Sequence, residues 1–267
     1  MRMNRRELAT GALSLAAGTA FSSLAAAEDG FAPFEGIEEF AVATAKDRVL
    51  APDEIRVLWR ALDEGDGPVS TALRFLLLTG LRPGEVAGLE IGEVADIDNS
   101  ARARLEIATA RMKGGKAHIV PLAPMALQIV RAELGRAQEG QTHVFASAFV
   151  ERGPIARHSL SQGLKRIIAG LEASRAIERL KADPPTPHDF RRTLATGLAA
   201  LGLPREDRLA VLAHAQDDVH AAHYDRYDRL AEKRRALEAW EAHVADLIGP
   251  APAKTADNVV RIARARR

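Results

Sequence analysis

Residues 103–122, ARLEIATARMKGGKAHIVPL, break the periodicity of the chain around them. Leu105, Ile107 and Thr109 alternate with other residues, Gly114-Gly115 offers a tight turn, and His118-Ile119-Val120-Pro121-Leu122 follows. Alternation on both sides of a Gly-Gly pair predicts a β-hairpin, the clearest strand signal in the sequence. Val144-Phe145 is a second, shorter strand candidate.

The flanks of this stretch read as helices. Pro52 and Asp53 open a segment in which Ile55, Leu58, Trp59 and Leu62 recur at helical spacing. A strongly apolar helix follows from about Val69 to Leu78, with Gly80 as its stop. Pro83 suits the first turn of a short helix, and Glu85 lies near that helix's positive end. Further helices are predicted over residues 124–138, 158–173, 187–201, 204–213 and 230–247. The expected fold class is mainly α with a small antiparallel β-sheet (α+β).

Composition narrows the function. The 267 residues are 47% hydrophobic and 27% charged, an ordinary globular balance. Lys and Arg total 37 against 36 Asp and Glu, so the chain does not hold nucleic acid through bulk charge, although a local basic site remains open. The absence of cysteine excludes disulfides, thiol nucleophiles and thiolate metal sites. Only two tyrosines occur, Tyr224 and Tyr227.

The two ends differ from the body. Arg5-Arg6, a weakly apolar stretch and Ala25-Ala26-Ala27 make residues 1–28 similar to a twin-arginine export leader, with an Ala-rich helix or a disordered extension as the plainer reading. Residues 29–47 read as a linker, and residues 249–267 as a basic tail carrying Lys254, Arg261, Arg264, Arg266 and Arg267. No segment has the length and apolarity of a membrane span, and a cytoplasmic location is expected, with export as the minority alternative.

One helix start is strongly specified. Thr186-Pro187-His188-Asp189 combines a capping hydroxyl, Pro at the first helical position and an acid three residues after the cap. His188 and Arg191 then fall three apart near a helix N-terminus, where a phosphate is a favoured guest. Alone, this pair reads equally as a surface His–Arg pair beside a cap. It has company: Arg82 on a turn between two helices, Lys113 at the hairpin turn, His214 at a helix end, and Tyr224 ten residues further on.

Five segments, TGLRPGEV, RMKGGKAHIVPL, PHDFRRTLATGL, VLAHAQDDVHAAHYDRY and EKRRALEAW, together resemble the tyrosine recombinases of the phage-integrase family, especially integrases of prophages and genomic islands. The resemblance covers residues 48–248 and implies the catalytic domain of that family. It implies that Arg82, Lys113, His188, Arg191 and His214 surround a scissile phosphate, with Tyr224 as nucleophile and Glu85 supporting the arginine turn. By the same resemblance, double-stranded DNA is cut and rejoined through a covalent 3′-phosphotyrosyl link, without metal, ATP or other cofactor. Two guanidiniums suit the spread negative charge of a phosphodiester transition state. Lys113 is expected to protonate the 5′ oxygen, His188 to accept the phenolic proton, and His214 to donate a hydrogen bond to the phosphate.

The nucleophile usually lies nine residues after the third-motif histidine in that family, and here position nine is His223. Tyr224 therefore implies a one-residue insertion, with Tyr227 as the alternative nucleophile. Lys116 replaces Lys113 if the hairpin register slips.

Several rivals stand beside this reading. His214, His220 and His223 with Asp217 and Asp218 form a conceivable metal cluster. A DNA-binding remnant without recombination activity is a second, because the family's N-terminal DNA-clamping domain is expected to be absent from this chain. Topoisomerase-like nicking and closing, of type IB character, is a third. The apolar stripe Leu230, Leu237, Trp240, Val244 and Leu247 either covers the chain's own core or helps to assemble a tetramer on DNA.

Overall fold

The computed structural model describes residues 47–112, 115–147, 153–172, 174–213 and 228–249. The leader-like segment, most of the linker and nearly all of the basic tail lie outside the described residues.

Helix α1 (Pro52–Glu64) and helix α2 (Pro68–Thr79) both begin with proline, whose fixed φ and missing N–H suit a first helical turn. In α2, Leu73, Phe75, Leu76, Leu77 and Leu78 are all buried, so this helix is the centre of the core rather than one of its faces. Helices α1, α4 (Pro124–Gly135), α5 (Arg157–Gly170) and α7 (Pro187–Ala200) pack around it. The short α3 (Pro83–Ala87) continues from α2 through the Gly80 turn. Among the described residues the remaining helices are α6 (Arg175–Ala182), α8 (Arg205–Val211) and α9 (Leu230–Ile248).

Three strands, β1 (Val94–Ala95), β2 (Arg104–Ile107) and β3 (His118–Pro121), form one antiparallel sheet in the order β1-β2-β3. Leu105 pairs with Val120 and Ile107 with His118. The expected hairpin is present with a longer connection than a Gly-Gly turn. Strand β2 ends at Ile107, and Thr109–Arg111 winds into a 3-10 turn that takes Thr109 out of the alternation. Val144-Phe145 is not a strand: both side chains are buried, and only isolated bridges at His143 and Ala146 flank them. Helix α6 was not foreseen. Its N-cap Ser174 accepts from the Ile177 amide at 3.4 Å, and Ala176, Ile177 and Leu180 give it one buried face.

The two ends of the described body are tied inward. Arg48 donates to both Glu54 carboxylate oxygens, at 2.7 and 3.1 Å, and the Leu50 amide donates to Thr193 of α7 at 3.0 Å. On α9, the stripe Leu237, Trp240 and Val244 is buried in the chain's own core. Trp240 Nε1 donates to the Leu77 carbonyl at 2.8 Å. The buried Glu241 carboxylate accepts from the Met125 and Ala126 amides at 2.6 and 2.8 Å, where α4 has no side-chain cap of its own. Burial pushes the Glu241 carboxyl up to about 7, against the opposing pull of those two amide bonds.

At Gly197, α7 lies directly against Trp240 of α9. A Cβ there would lie 2.1 Å from Cζ3 of Trp240, an indole that is itself buried and hydrogen-bonded. Gly197→Ala is therefore expected to lower the unfolding free energy by about 2 kcal/mol despite its better helix propensity, measured by urea denaturation. An unchanged or raised midpoint contradicts this packing.

Candidate functional site

The site is built around one buried guanidinium. Arg191 of α7 is 4% exposed, yet it carries a charge. It donates through Nη1 to the Gly80 carbonyl at 2.5 Å and through Nη2 to the Leu212 carbonyl. A guanidinium has five N–H donors, so these two bonds do not exhaust it. Burial, followed by the nearby positive charge of Arg82, brings the Arg191 pKa down to about 10, with Glu85 pulling the other way. Gly80 itself is left-handed (φ 64°), and a Cβ on it would press within 3.1 Å of Leu194 on α7. Only glycine closes α2 and approaches α7 this tightly.

The same turn carries Arg82, the N-cap residue of α3. The buried Glu85 accepts from the Arg82 amide at 2.8 Å and from Arg82 Nη1 at 2.7 Å. One carboxylate thus caps α3 and aims the arginine side chain, which stays about a quarter exposed. Arg82 and Arg191 are brought together through Gly80, one from the turn and one from beneath it.

His188 stands in the first turn of α7 and is exposed, whereas Arg191 one turn later points inward. Partial enclosure lowers the His188 pKa, and the charges of Arg192, Arg191 and Arg82 lower it further against an opposing Asp189. Asp189 is fully buried and accepts from the Thr186 amide at 2.7 Å, the Thr186 hydroxyl at 2.8 Å and Arg192 Nη1 at 2.8 Å. The acid of the expected capping pair is in place, and the Thr186 hydroxyl spends its proton on that acid.

Lys113, His214, Tyr224 and Tyr227 lie outside the described residues, as do His220, His223, Asp217 and Asp218 of the conceivable metal cluster. Among the described residues, no group of three or more His, Asp or Glu is placed to hold a metal ion. The chain positions leading to Lys113 and His214 are described, and both are held. Arg111 pairs with Glu93 and donates to the Glu85 carbonyl at 3.3 Å, which docks the root of the hairpin loop against α3. Lys116, beyond that loop, is exposed. Leu212 is the residue whose carbonyl Arg191 holds, and Ala213 after it is left-handed (φ 46°).

Arg111, His118 and Lys233 were not singled out from the sequence. His118 on β3 is 4% exposed, and its Nε2 has no hydrogen-bond partner. Lys233 of α9 is buried and donates to the Ile119 carbonyl at 3.0 Å, with burial holding its pKa below the usual range. Desolvation, then the charges of Lys233, Arg191 and Arg82, push His118 down to about 3, against the opposing pull of the Val211 backbone. The usable signal was the strand itself: His118 occupies the same inward-facing set as Val120, where a polar residue is out of place.

This arrangement, a mainly helical body with a small antiparallel sheet and two arginines meeting at a glycine turn, defines the class, and the comparisons name the family. Residues 48–230 match the model of the phage integrase family, more than half of the chain, and the chain belongs to that family. Prophage integrase IntA of Escherichia coli (strain K12) is 28% identical over 202 residues, covering 74% of this chain and 44% of that protein. The chain thus spans less than half the length of that relative. Among solved structures, the integrase from mycobacterium phage Brujita superposes with a TM-score of 0.52 at 18% identity, over 77% of this chain and 64% of that one. The lambda integrase catalytic core gives a TM-score of 0.47 at 20% identity, over 65% of this chain and 95% of that one. Among the described residues, no helix is long and apolar enough to cross a membrane.

The buried neutral His118 has a consequence for stability. In the unfolded chain the imidazole takes up a proton near its ordinary value of 6.5, whereas in the folded chain it resists until about 3. Its contribution is therefore fully present above 6.5 and is lost progressively as the pH falls toward about 3. Urea unfolding of the wild type and His118→Asn at several pH values across that window is expected to show the steeper acid loss in the wild type. Parallel curves contradict a neutral buried imidazole.

Proposed function

We propose that this chain is the catalytic part of a site-specific recombinase that cuts and rejoins double-stranded DNA through Tyr224. The observation that carries this reading is the convergence of Arg82 and Arg191 on the Gly80 turn, with His188 at the adjacent helix N-terminus. Two guanidiniums held on one rigid turn, one aimed by Glu85 and the other by backbone carbonyls, are preorganised for the non-bridging oxygens of a phosphodiester. Membership of the phage integrase family supplies the reaction class.

In this reading the Tyr224 oxygen attacks phosphorus, the bond to the 5′ oxygen breaks, and Lys113 gives that oxygen its proton. His188, its pKa lowered, is unprotonated near neutrality and accepts the phenolic proton. His214 donates to a non-bridging oxygen. The 5′ hydroxyl of a partner strand then reverses the sequence, so rejoining needs neither ATP nor metal. Oligomerisation on DNA belongs to the same proposal. The stripe Leu237, Trp240 and Val244 is already spent on the chain's own core, so a DNA-bound tetramer would use the outer face of α9 or the residues after it.

The test is a pool of nicked suicide duplexes of randomised sequence, incubated with wild type, Tyr224→Phe and Tyr227→Phe. A DNA–protein adduct that survives denaturing electrophoresis is expected with the wild type and Tyr227→Phe, and is lost in Tyr224→Phe. An adduct that persists in Tyr224→Phe, or none from the wild type, overturns the proposal. Because enclosure and the neighbouring arginines lower the His188 pKa, the acid limb of adduct formation is expected at lower pH than an ordinary imidazole would give, and to be removed in His188→Asn.

A further inference from the structure

Helix α3 is five residues long and carries the arginine turn at its start. Its last turn has no basic residue, and the amides that follow bond elsewhere: Gly88 to the Gly84 carbonyl and Leu89 to the Val86 carbonyl, each at 3.2 Å. The Glu85 carbonyl takes its donor from outside the helix, from Nη2 of Arg111 at 3.3 Å. A cation at this end suits both the orphan carbonyl and the helix dipole. Glu85 is therefore held twice. Its carbonyl is fastened to Arg111, and its buried carboxylate holds the Arg82 amide and Arg82 Nη1 at 2.8 and 2.7 Å.

Arg111 is in turn fixed from its other side. Nη1 pairs with Oε2 of the buried Glu93, and the same oxygen accepts from the Glu90 amide at 3.0 Å. Gly88 gives the guanidinium room: a Cβ there would stand 3.1 Å from Arg111 Nη2. The Gly88 backbone lies at negative φ (−99°), so nothing but that clearance asks for a glycine. An ion pair alone does not account for the arrangement. Lysine would match the charge of Glu93, but it lacks the rigid fork that reaches Glu93 and Glu85 at once.

We propose that Arg111 is a positioning residue for Arg82: it fixes the backbone of Glu85, and thereby the carboxylate that aims the Arg82 guanidinium. The inference deepens the recombinase reading and rests on it for the claim that Arg82 faces a DNA phosphate, whereas the hold on α3 stands by itself.

Two substitutions loosen that hold without changing the charge of the chain. Arg111→Lys keeps a cation beside Glu93 and gives up the fork, and Gly88→Ala presses the guanidinium away from the Glu85 carbonyl. Hydrogen exchange in the free protein is the first readout. In both variants the amides of residues 86–89 are expected to exchange about tenfold faster, with the α2 amides unchanged. The second readout is the slope of log affinity against log salt for intact duplexes of randomised sequence. Each phosphate contact contributes about 0.9 to that slope, so Arg82→Ala is expected to flatten it by about 0.9. Arg111→Lys and Gly88→Ala are expected to flatten it toward the same value. Either one combined with Arg82→Ala is expected to flatten it no further, because the effect passes through Arg82.

A wild-type slope in either variant, or a combined loss greater than that of Arg82→Ala alone, overturns the proposal, as does wild-type exchange over residues 86–89. If Arg111→Lys does not fold, Gly88→Ala decides the question by the same two readouts. If Arg82→Ala itself keeps the wild-type slope, it is the recombinase reading of Arg82 that fails, and exchange alone decides the hold on α3.

Discussion

The structure depends on burying one guanidinium. Arg191 brings a charge into a nearly closed environment, where an unpaired ion would cost several kcal/mol. The site meets that cost with the carbonyls of Gly80 and Leu212, neutral dipoles that solvate the cation without cancelling it. A carboxylate partner would have neutralised the field. Backbone acceptors leave the Arg191 charge uncancelled, while Glu85 offsets one of the two arginines at the turn. The same two bonds tie the α2–α3 turn and the end of α8 to α7, so electrostatic purpose and tertiary architecture are one feature.

The neighbourhood is tuned around that field. Three cations act on His118, and the imidazole stays neutral because protonating it would add a fourth charge to a desolvated cluster. Lys233 is buried against the Ile119 carbonyl, and its pKa is lowered too. Glu85 is the acid that sits directly against Arg82, and it is consumed in aiming that side chain and capping α3. A net charge of +1 for the whole chain is thus compatible with a local cluster of cations around Arg191, because what matters is where a few side chains are held.

The helices were legible where local chemistry is decisive. Pro52, Pro83 and Pro187 mark true helix starts, and Gly80 is a true stop, because these residues restrict φ whatever surrounds them. The hairpin was legible in its pairing and misread in its connection, since the 3-10 turn at Thr109–Arg111 follows from Arg111 docking on Glu93 and α3, a tertiary effect. Arg82 and Arg191 could be named from motifs, but their relation could not, because Gly80 and Leu212 lie 111 and 21 residues from Arg191 in sequence. His118 escaped notice because its burial beside Arg191 and Lys233 is set by tertiary packing, which strand alternation alone does not reveal.

The segment proposed to carry the nucleophile begins and ends at fixed points. On one side are Leu212, held by Arg191, and the left-handed Ala213. On the other, Arg229 is also left-handed (φ 51°) and pairs with Asp207 of α8 at 3.2 Å, returning the chain to the helix it left. Beyond Arg229, α9 is secured along its length: Lys233 on Ile119, Arg234 on the carbonyls of Ser100, Ala103 and Leu122, Trp240 on Leu77 and Glu241 on the start of α4. Helix α9 thereby clasps the sheet to the central helix. The described chain before residue 214 and after residue 227 is thus held by one network, in which Arg191, Asp207 and Arg229 join α7, α8 and the start of α9. The in-line attack proposed for Tyr224 would gain from such common anchoring, because small errors in attack geometry cost large factors in rate.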